Sequence, residues 1–245
     1  MRSSVQLWTL RDAAAADGLD AVVRLVARAG FTAIEPFALA ATVDDVAPAV
    51  RELGLEVPTA HAELDTEDLD AVFDAAERLG TRTVVQHMFP AERWSTEGLA
   101  VTAGVLERAA AAGAARGIRV AVHHHDDELR TQVDGRPALL ELADRLGREV
   151  GVQVDVNWAA LADLDPVDLV KTLGDRVVAA HLKDGPGTGA NDEQVALGRG
   201  RLDLDGFLTV LPTDAVVVLS LDAYRGDPVE AVEASRAWLD ERGVR

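Results

Sequence analysis

The stretch LDAVVRLVARAGFTAIEPF, residues 19–37, holds the unit from which the chain is built. Val22, Val23, Leu25 and Val26 form one apolar stripe at helical spacing, Gly30 ends it, and a short apolar run, AIEPF, follows. A glycine there suits a helix end, where the chain turns into the left-handed region without a Cβ clash. The same order recurs as RELG then LEVPTAH, ERLG then TRTVVQH, AARG then IRVAVHH, and TLGD then RVVAAHLKD. Thr42 and Asp45 have capping-box spacing, and Asp165-Pro166 and Asp227-Pro228 pair an N-cap with proline at the first helical position. Eight apolar runs are predicted as strands: Val5–Trp8, Ala33–Phe37, Pro58–His61, Thr83–His87, Arg119–His123, Val152–Val156, Val177–His181 and Val216–Leu221. Near-continuous apolar strands are buried on both faces, as in a parallel sheet, and their alternation with helices requires crossover connections. Eight such units predict a single α/β domain, a (β/α)8 TIM barrel spanning residues 1–245. An open doubly wound sheet is disfavoured, because no GxGxxG or GxxxxGK follows any strand. The connection from Asp184 to Leu202, rich in Gly and Asp, reads as a long loop over the barrel mouth.

Composition narrows the chemistry. The chain has 245 residues, 48% of them apolar, enough for the core of one such barrel. It has no cysteine, which excludes disulfides, thiol nucleophiles and thiolate metal ligands, so a metal would rest on His, Asp or Glu. The net charge of −18, with no Lys/Arg cluster, argues against nucleic acid and anionic membrane surfaces as partners. No apolar run approaches a membrane span and the first residues lack a signal-peptide pattern, so a cytoplasmic location is expected.

Catalytic groups of these barrels sit at the carboxyl ends of the strands. All six histidines fall there: His61 on strand three, His87 on four, His123, His124 and His125 on five, and His181 on seven. Any one of them is explained by a structural imidazole, a reading that suits His87 and His124, but as a set they mark a site. Glu35 and Asp155 interrupt apolar strands and Glu128 follows the histidine triplet. A carboxylate inside a barrel must be paired or metal-bound, because a lone buried charge is too costly. Asp155 and His181 lie on adjacent strands at matching depth, an arrangement for sharing one divalent cation or for a plain His–Asp hydrogen bond. Lys183 points to the mouth with His181 by strand alternation. Trp8, Phe37, Trp94 and Trp158 stand at or after strand ends, where aromatic faces suit the apolar side of a sugar ring or simply pack.

The motifs VQLWTLRD, GFTAIEPF, LEVPTAH, VAVHHHDDEL, VQVDVNW, VVAAHLKDG and LGRGRLD, in this order, resemble the sugar phosphate isomerase/epimerase family, a xylose-isomerase-like TIM barrel of the AP endonuclease family 2 superfamily. The resemblance runs over essentially the whole chain. It implies a divalent metal cofactor (Mn, Co, Zn, Fe or Mg) held at the ends of strands five to eight. It also implies proton abstraction next to a carbonyl of a small carbohydrate, giving isomerisation, epimerisation or β-elimination. Carried over by position, His181 and Asp155 match the ligands of strands seven and six, and either His123 or Glu128 fills the strand-five position. Strand eight departs from the pattern: Ser220 stands where the family places a metal-binding Glu, with Asp222 two residues on. Arg199 replaces the Glu of the Gly-x-Gly turn.

The reaction assigned to these residues has His123 or Glu128, Asp155 and His181 on the metal and His125 or Lys183 moving the proton. Glu35 and His61 position hydroxyls, and Trp8, Trp94, Trp158 and Asp222 contact substrate. The competing reading is a catalytically silent sugar-binding barrel or the structural subunit of a heteromeric enzyme. A homo- or hetero-oligomer is compatible with either.

Overall fold

In the computed structural model, which describes residues 1–188 and 194–245, eight parallel strands form a nearly closed barrel with helices packed outside it. The strands are β1 Ser3–Gln6, β2 Ile34–Glu35, β3 Thr59–Ala62, β4 Thr83–Gln86, β5 Arg119–His123, β6 Val150–Asp155, β7 Val177–Leu182 and β8 Val216–Leu219. They are hydrogen-bonded in the order β2-β1-β8-β7-β6-β5-β4-β3. The two ends of that series meet at a looser seam, where Ile34 N donates to Glu56 O (3.0 Å), Glu56 N to Thr32 O (2.9 Å) and His61 N to Pro36 O (2.8 Å). Each expected strand is present, with no end shifted by more than two residues and β5 at the expected bounds. β2 is the shortest because Pro36, which has no N–H, breaks its ladder.

Successive strand residues alternate between the barrel interior and the helical layer. The outward set, with Val84, Val120, Val122, Val152, Val154 and Ala180 among it, joins the helices in one large apolar core. The interior is layered differently. Ala179, Val216 and Val218 form a small apolar floor. Above it lie Gln6, Glu35, Thr59, His61, His123, Gln153, Asp155 and His181, all buried.

A bulge between β6 and β7 sets the height of this polar layer. Val152 pairs with Val177 but Gln153 pairs with Ala179, so Val178 is the extra residue and Asp155 comes level with His181. Val178 takes the space over Gly151, where an added Cβ would meet its Cγ1 at 2.6 Å. The absence of a side chain at Gly151 therefore helps fix which residues face each other at the mouth.

Helix starts follow the sequence at Pro166–Leu173 and Pro228–Glu241, where Asp165 and Asp227 accept the N–H of Val167 and Val229 (2.8 Å each). The capping box expected at Thr42 is not formed. That helix runs Leu39–Leu53, and the Thr42 hydroxyl, inside its first turn, donates to Phe37 O. Leu39 is fully buried, and packing it extends the helix past the polar start signal. The loop expected from Asp184 to Leu202 includes residues 189–193, which lie outside the described residues. Its described part is gathered around the buried Asp184 carboxylate, which accepts the N–H of Gly185 (2.8 Å), Gly198 (2.8 Å) and Gly200 (2.9 Å). Arg199, in this turn, is exposed. Among the described residues no helix is long and apolar enough to cross a membrane.

Candidate active site

The strand ends open into a cavity of about 340 Å³ lined by Gln6, Trp8, Phe37, His61, His87, His123, His125, His181, Ser220 and Asp222, among others. Its base is a hydrogen-bond network centred on Glu35, which has no exposed surface. Oε1 of Glu35 accepts from Gln6 Nε2 (2.8 Å) and His181 Nε2 (2.7 Å), and Oε2 from Thr59 Oγ1 (2.5 Å) and Gln153 Nε2 (2.7 Å). His61 Nε2 lies 2.7 Å from Gln153 Oε1 and 3.3 Å from Glu35 Oε1. Burial alone would raise the Glu35 carboxyl, but the charges of His61 and His181 and the hydrogen bonds from His181 and Thr59 hold it at about 2. Burial lowers His61 to about 4, against the opposing pull of Glu35. His181, also desolvated, is nonetheless raised, because it lies between the Glu35 and Asp155 carboxylates.

Asp155 ends β6 and caps the helix Val156–Leu161. Its Oδ1 accepts the N–H of Asn157 and Trp158 (3.0 Å each). Oδ2 faces Lys183 Nζ at 2.7 Å, His181 Nδ1 at 3.7 Å and His123 Nε2 at 4.0 Å. Lys183, 1% exposed, also pairs with Asp222 Oδ2 at 2.5 Å. Burial opposes the charged forms of both partners, yet the pairing keeps the Asp155 carboxyl well below and the Lys183 ammonium above their usual values.

The other histidines divide by their partners. His124 is structural: Nδ1 meets His125 O and Nε2 accepts the Asp155 N–H, both at 3.0 Å. His87, exposed at the mouth, and His125, partly buried, have only ring contacts to other described residues. His123 and His181 each carry a buried Nδ1 with no hydrogen-bond partner among the described residues. One nitrogen from each of His61, His123 and His181 falls within 4.8 Å of the others, and the same holds for His87, His123 and His125.

The remaining expected site residues are spread more widely. Glu128 is buried with Oε2 on the His125 N–H (2.9 Å), which braces the triplet, and it belongs to neither histidine group. Trp94 is 1% exposed and packs edge-on against Phe89, away from the cavity lining, because the bulky ring fills the core beside the helix Thr96–Ala114. Trp158 is not part of the cavity lining and meets His125 in a T-shaped pair. Trp8, 44% exposed, forms the rim with Phe37 in a T-shaped pair. Ser220 is buried on the cavity wall. Gln6 and Gln153 belong to the site but carry no sequence signal beyond being amides on apolar strands.

The model of the xylose isomerase-like TIM barrel family matches residues 23–242. The chain belongs to that family. Among solved structures, a sugar phosphate isomerase/epimerase from Parabacteroides distasonis is similar over 97% of this chain and 93% of its own, with 20% identity and a TM-score of 0.76. The 3-keto-D-glucoside 4-epimerase of E. coli is similar over 98% of this chain and 99% of its own, with 17% identity and a TM-score of 0.69. The IOLI protein, whose structure has a zinc atom, is similar over 98% and 97%, with 16% identity and a TM-score of 0.69. At these identities the likeness establishes the fold. No curated protein matches the chain significantly.

Proposed function

We propose that the chain is a divalent-metal-assisted enzyme that removes a proton next to the carbonyl of a sugar, keto-sugar or cyclitol, with isomerisation, epimerisation or β-elimination as the outcome. The observation that carries this reading is that His123 and His181, on the wall of one sugar-sized cavity, each keep an unpartnered nitrogen and stand beside the buried Asp155 carboxylate. The donor set fits a cation such as Mn, Co, Zn, Fe or Mg: His181 through Nδ1, Asp155 through Oδ2, and His123. Glu128 is the less suited strand-five ligand because its carboxylate is engaged by backbone. When bound, such a cation polarises a carbonyl or a pair of oxygens and stabilises developing negative charge.

His125 is the better proton acceptor of the two residues considered. Burial and the Lys183 charge lower it to about 4, so at neutral pH its ring is uncharged and carries a free lone pair. Lys183 is held protonated by Asp155 and Asp222 and acts on substrate through Asp222. Glu35 is sealed from the cavity and saturated by its neighbours, so it orients His181 and His61 rather than touching a hydroxyl. Trp8 and Phe37 offer an apolar wall to one face of a sugar, and Asp222 and His61 offer polar contacts. Trp94 and Trp158 stand apart from that wall, Trp94 against Phe89 and Trp158 against His125 and Lys183.

The test is solvent exchange: keto-sugars are incubated with the protein in D2O with Mn, Co, Zn, Fe or Mg, and loss of the proton beside the carbonyl is followed by NMR. Metal-dependent exchange that falls about a hundredfold or more in H125A is expected. Lack of exchange with every sugar and metal sinks the proposal. A second reading, a silent sugar-binding barrel or structural subunit, draws on Ser220 and on the Lys183 ammonium already seated on Asp155. It predicts sugar binding, in calorimetry, that is indifferent to metal.

A further inference from the structure

The histidines of the mouth fall into two classes, and the distinction points to a metal seat separate from Asp155. His61, His124 and His181 are tied by hydrogen bonds to Gln153, backbone and Glu35, although His181 is held through Nε2 alone and keeps an unpartnered Nδ1 turned toward Asp155. His87 and His125 are committed to nothing among the described residues, and His123 has a buried Nδ1 without a partner. These three rings stand together, with centroids 5.1–5.8 Å apart and one nitrogen of each within 4.8 Å of the others. An imidazole buried with an unused nitrogen is unfavourable unless something accepts or binds it. Here His123 faces the cavity beside two more accessible rings, His87 and His125, that no side chain engages through a hydrogen bond.

We propose that His87, His123 and His125 form an all-imidazole seat for a transition-metal ion at the barrel mouth. Three imidazoles with a fourth position open to the cavity are a common zinc arrangement, with Zn–N of about 2.0–2.1 Å. Closing the nitrogens onto one ion requires movements of roughly 1 Å, and His87, exposed at the end of β4, is free to make them. The nearby carboxylates are already engaged, Asp155 and Asp222 by Lys183 and Glu128 by the His125 N–H. A nitrogen-only set of this kind selects Zn²⁺, Co²⁺, Ni²⁺ or Cu²⁺ and rejects Mg²⁺ and Ca²⁺. Because the seat takes His123 and His125, its occupation opposes proton abstraction. That consequence alone rests on the function proposed above.

The test uses the whole chain, purified metal-free, titrated with Zn²⁺ and with Co²⁺, and with Mg²⁺ as a control. Since the natural sequence has no cysteine, H87C offers a direct reporter: cobalt bound by a thiolate at that position gives a near-ultraviolet charge-transfer band that the parent protein lacks. Expected are micromolar or tighter Zn²⁺ binding, at least tenfold weaker binding in H87A with an unchanged circular dichroism spectrum, and the new band in H87C. The proposal is overturned if the parent protein does not bind Zn²⁺, if H87A binds it as tightly as the parent, or if H87C binds cobalt without the band. D155N reports on the inner centre of the proposed function, so failure there is read separately.

Discussion

Replacing Lys183 with Met removes one positive charge from between two carboxylates while keeping most of the side-chain volume. The ammonium is 2.7 Å from Asp155 Oδ2 and 2.5 Å from Asp222 Oδ2, and Lys183 is 1% exposed. Breaking a buried ion pair by removing one partner costs about 3–5 kcal/mol, because the other charge remains buried without compensation. For a chain of this size about 1 kcal/mol corresponds to roughly 2–4 °C in melting temperature, so K183M is expected to melt about 6–20 °C lower at pH 7. The pH dependence gives a sharper test. Asp155 has a depressed folded pKa, so its stabilisation is present above the unfolded value of about 3.9 and is lost as pH falls through the folded value. Lys183 is raised, so its share persists below the unfolded value of about 10.4 and is lost as pH rises through the folded one. The pair is thus intact across the neutral range. In K183M, burial drives the Asp155 carboxyl upward, and protonating it relieves the unpaired charge. Urea unfolding at pH 7 and pH 5 should show the deficit of K183M relative to the parent shrinking at the lower pH. A deficit below about 1 kcal/mol, the range of exposed pairs, or one that does not shrink on acidification, refutes the pairing.

Gly151→Ala should destabilise the barrel by about 1–3 kcal/mol through overpacking, since the new Cβ would meet Val178 Cγ1 at 2.6 Å; trimming the neighbour in G151A/V178A should recover part of the loss in denaturant titrations. His124→Ala leaves the Asp155 N–H without its acceptor and should cost about 1–3 kcal/mol of unfolding free energy. In that variant the near-ultraviolet spectrum reports on the loosened Trp158. Glu35, held at about 2 in the fold, contributes stability above its unfolded value of about 4.3 that is lost as pH falls toward 2. His61, at about 4 when folded, binds its proton more readily in the unfolded chain, so it lowers stability as pH falls below about 6.5. Acid unfolding should therefore steepen below pH 6.5, and E35Q should remove the part between about 4.3 and 2.

The barrel was legible because its signals are local and repeated. Gly54 and Gly80 stand at left-handed helix ends, as the RELG and ERLG punctuation predicts. The gathering of the histidines at the strand ends was also legible, since all six lie where parallel strands deliver them. Their division of labour was not, because it depends on contacts between distant strands. Glu35, in an apolar run, reads as a carboxylate that must be paired or metal-bound. That its partners are Gln6, Thr59, Gln153 and His181 from four other strands, which leave it no room for the hydroxyl-positioning role assigned to it, is not visible in the sequence. Trp94 follows a strand as Trp8 does, and only packing tells the buried ring from the rim.

Lys183 shows the limit most clearly. Alternation places it on the same side as His181, yet the β6–β7 bulge at Val178 sets the height at which its ammonium meets Asp155. A sequence shows neither the bulge nor the encounter. The encounter bears on Ser220, which stands where the resemblance implies a metal-binding Glu. Ser220, just past the last strand, adds no negative charge to the site, and Lys183 supplies a fixed positive charge between the two carboxylates nearest to it. Cation binding at Asp155 then means sharing Oδ2 with an ammonium, whereas His87, His123 and His125 meet no such competitor. If that balance governs the site, K183M should strengthen metal binding through Asp155 while leaving the mouth seat unchanged. Zinc titration of K183M beside K183M/D155N measures the difference, and equal affinities in the two would separate Lys183 from the metal chemistry.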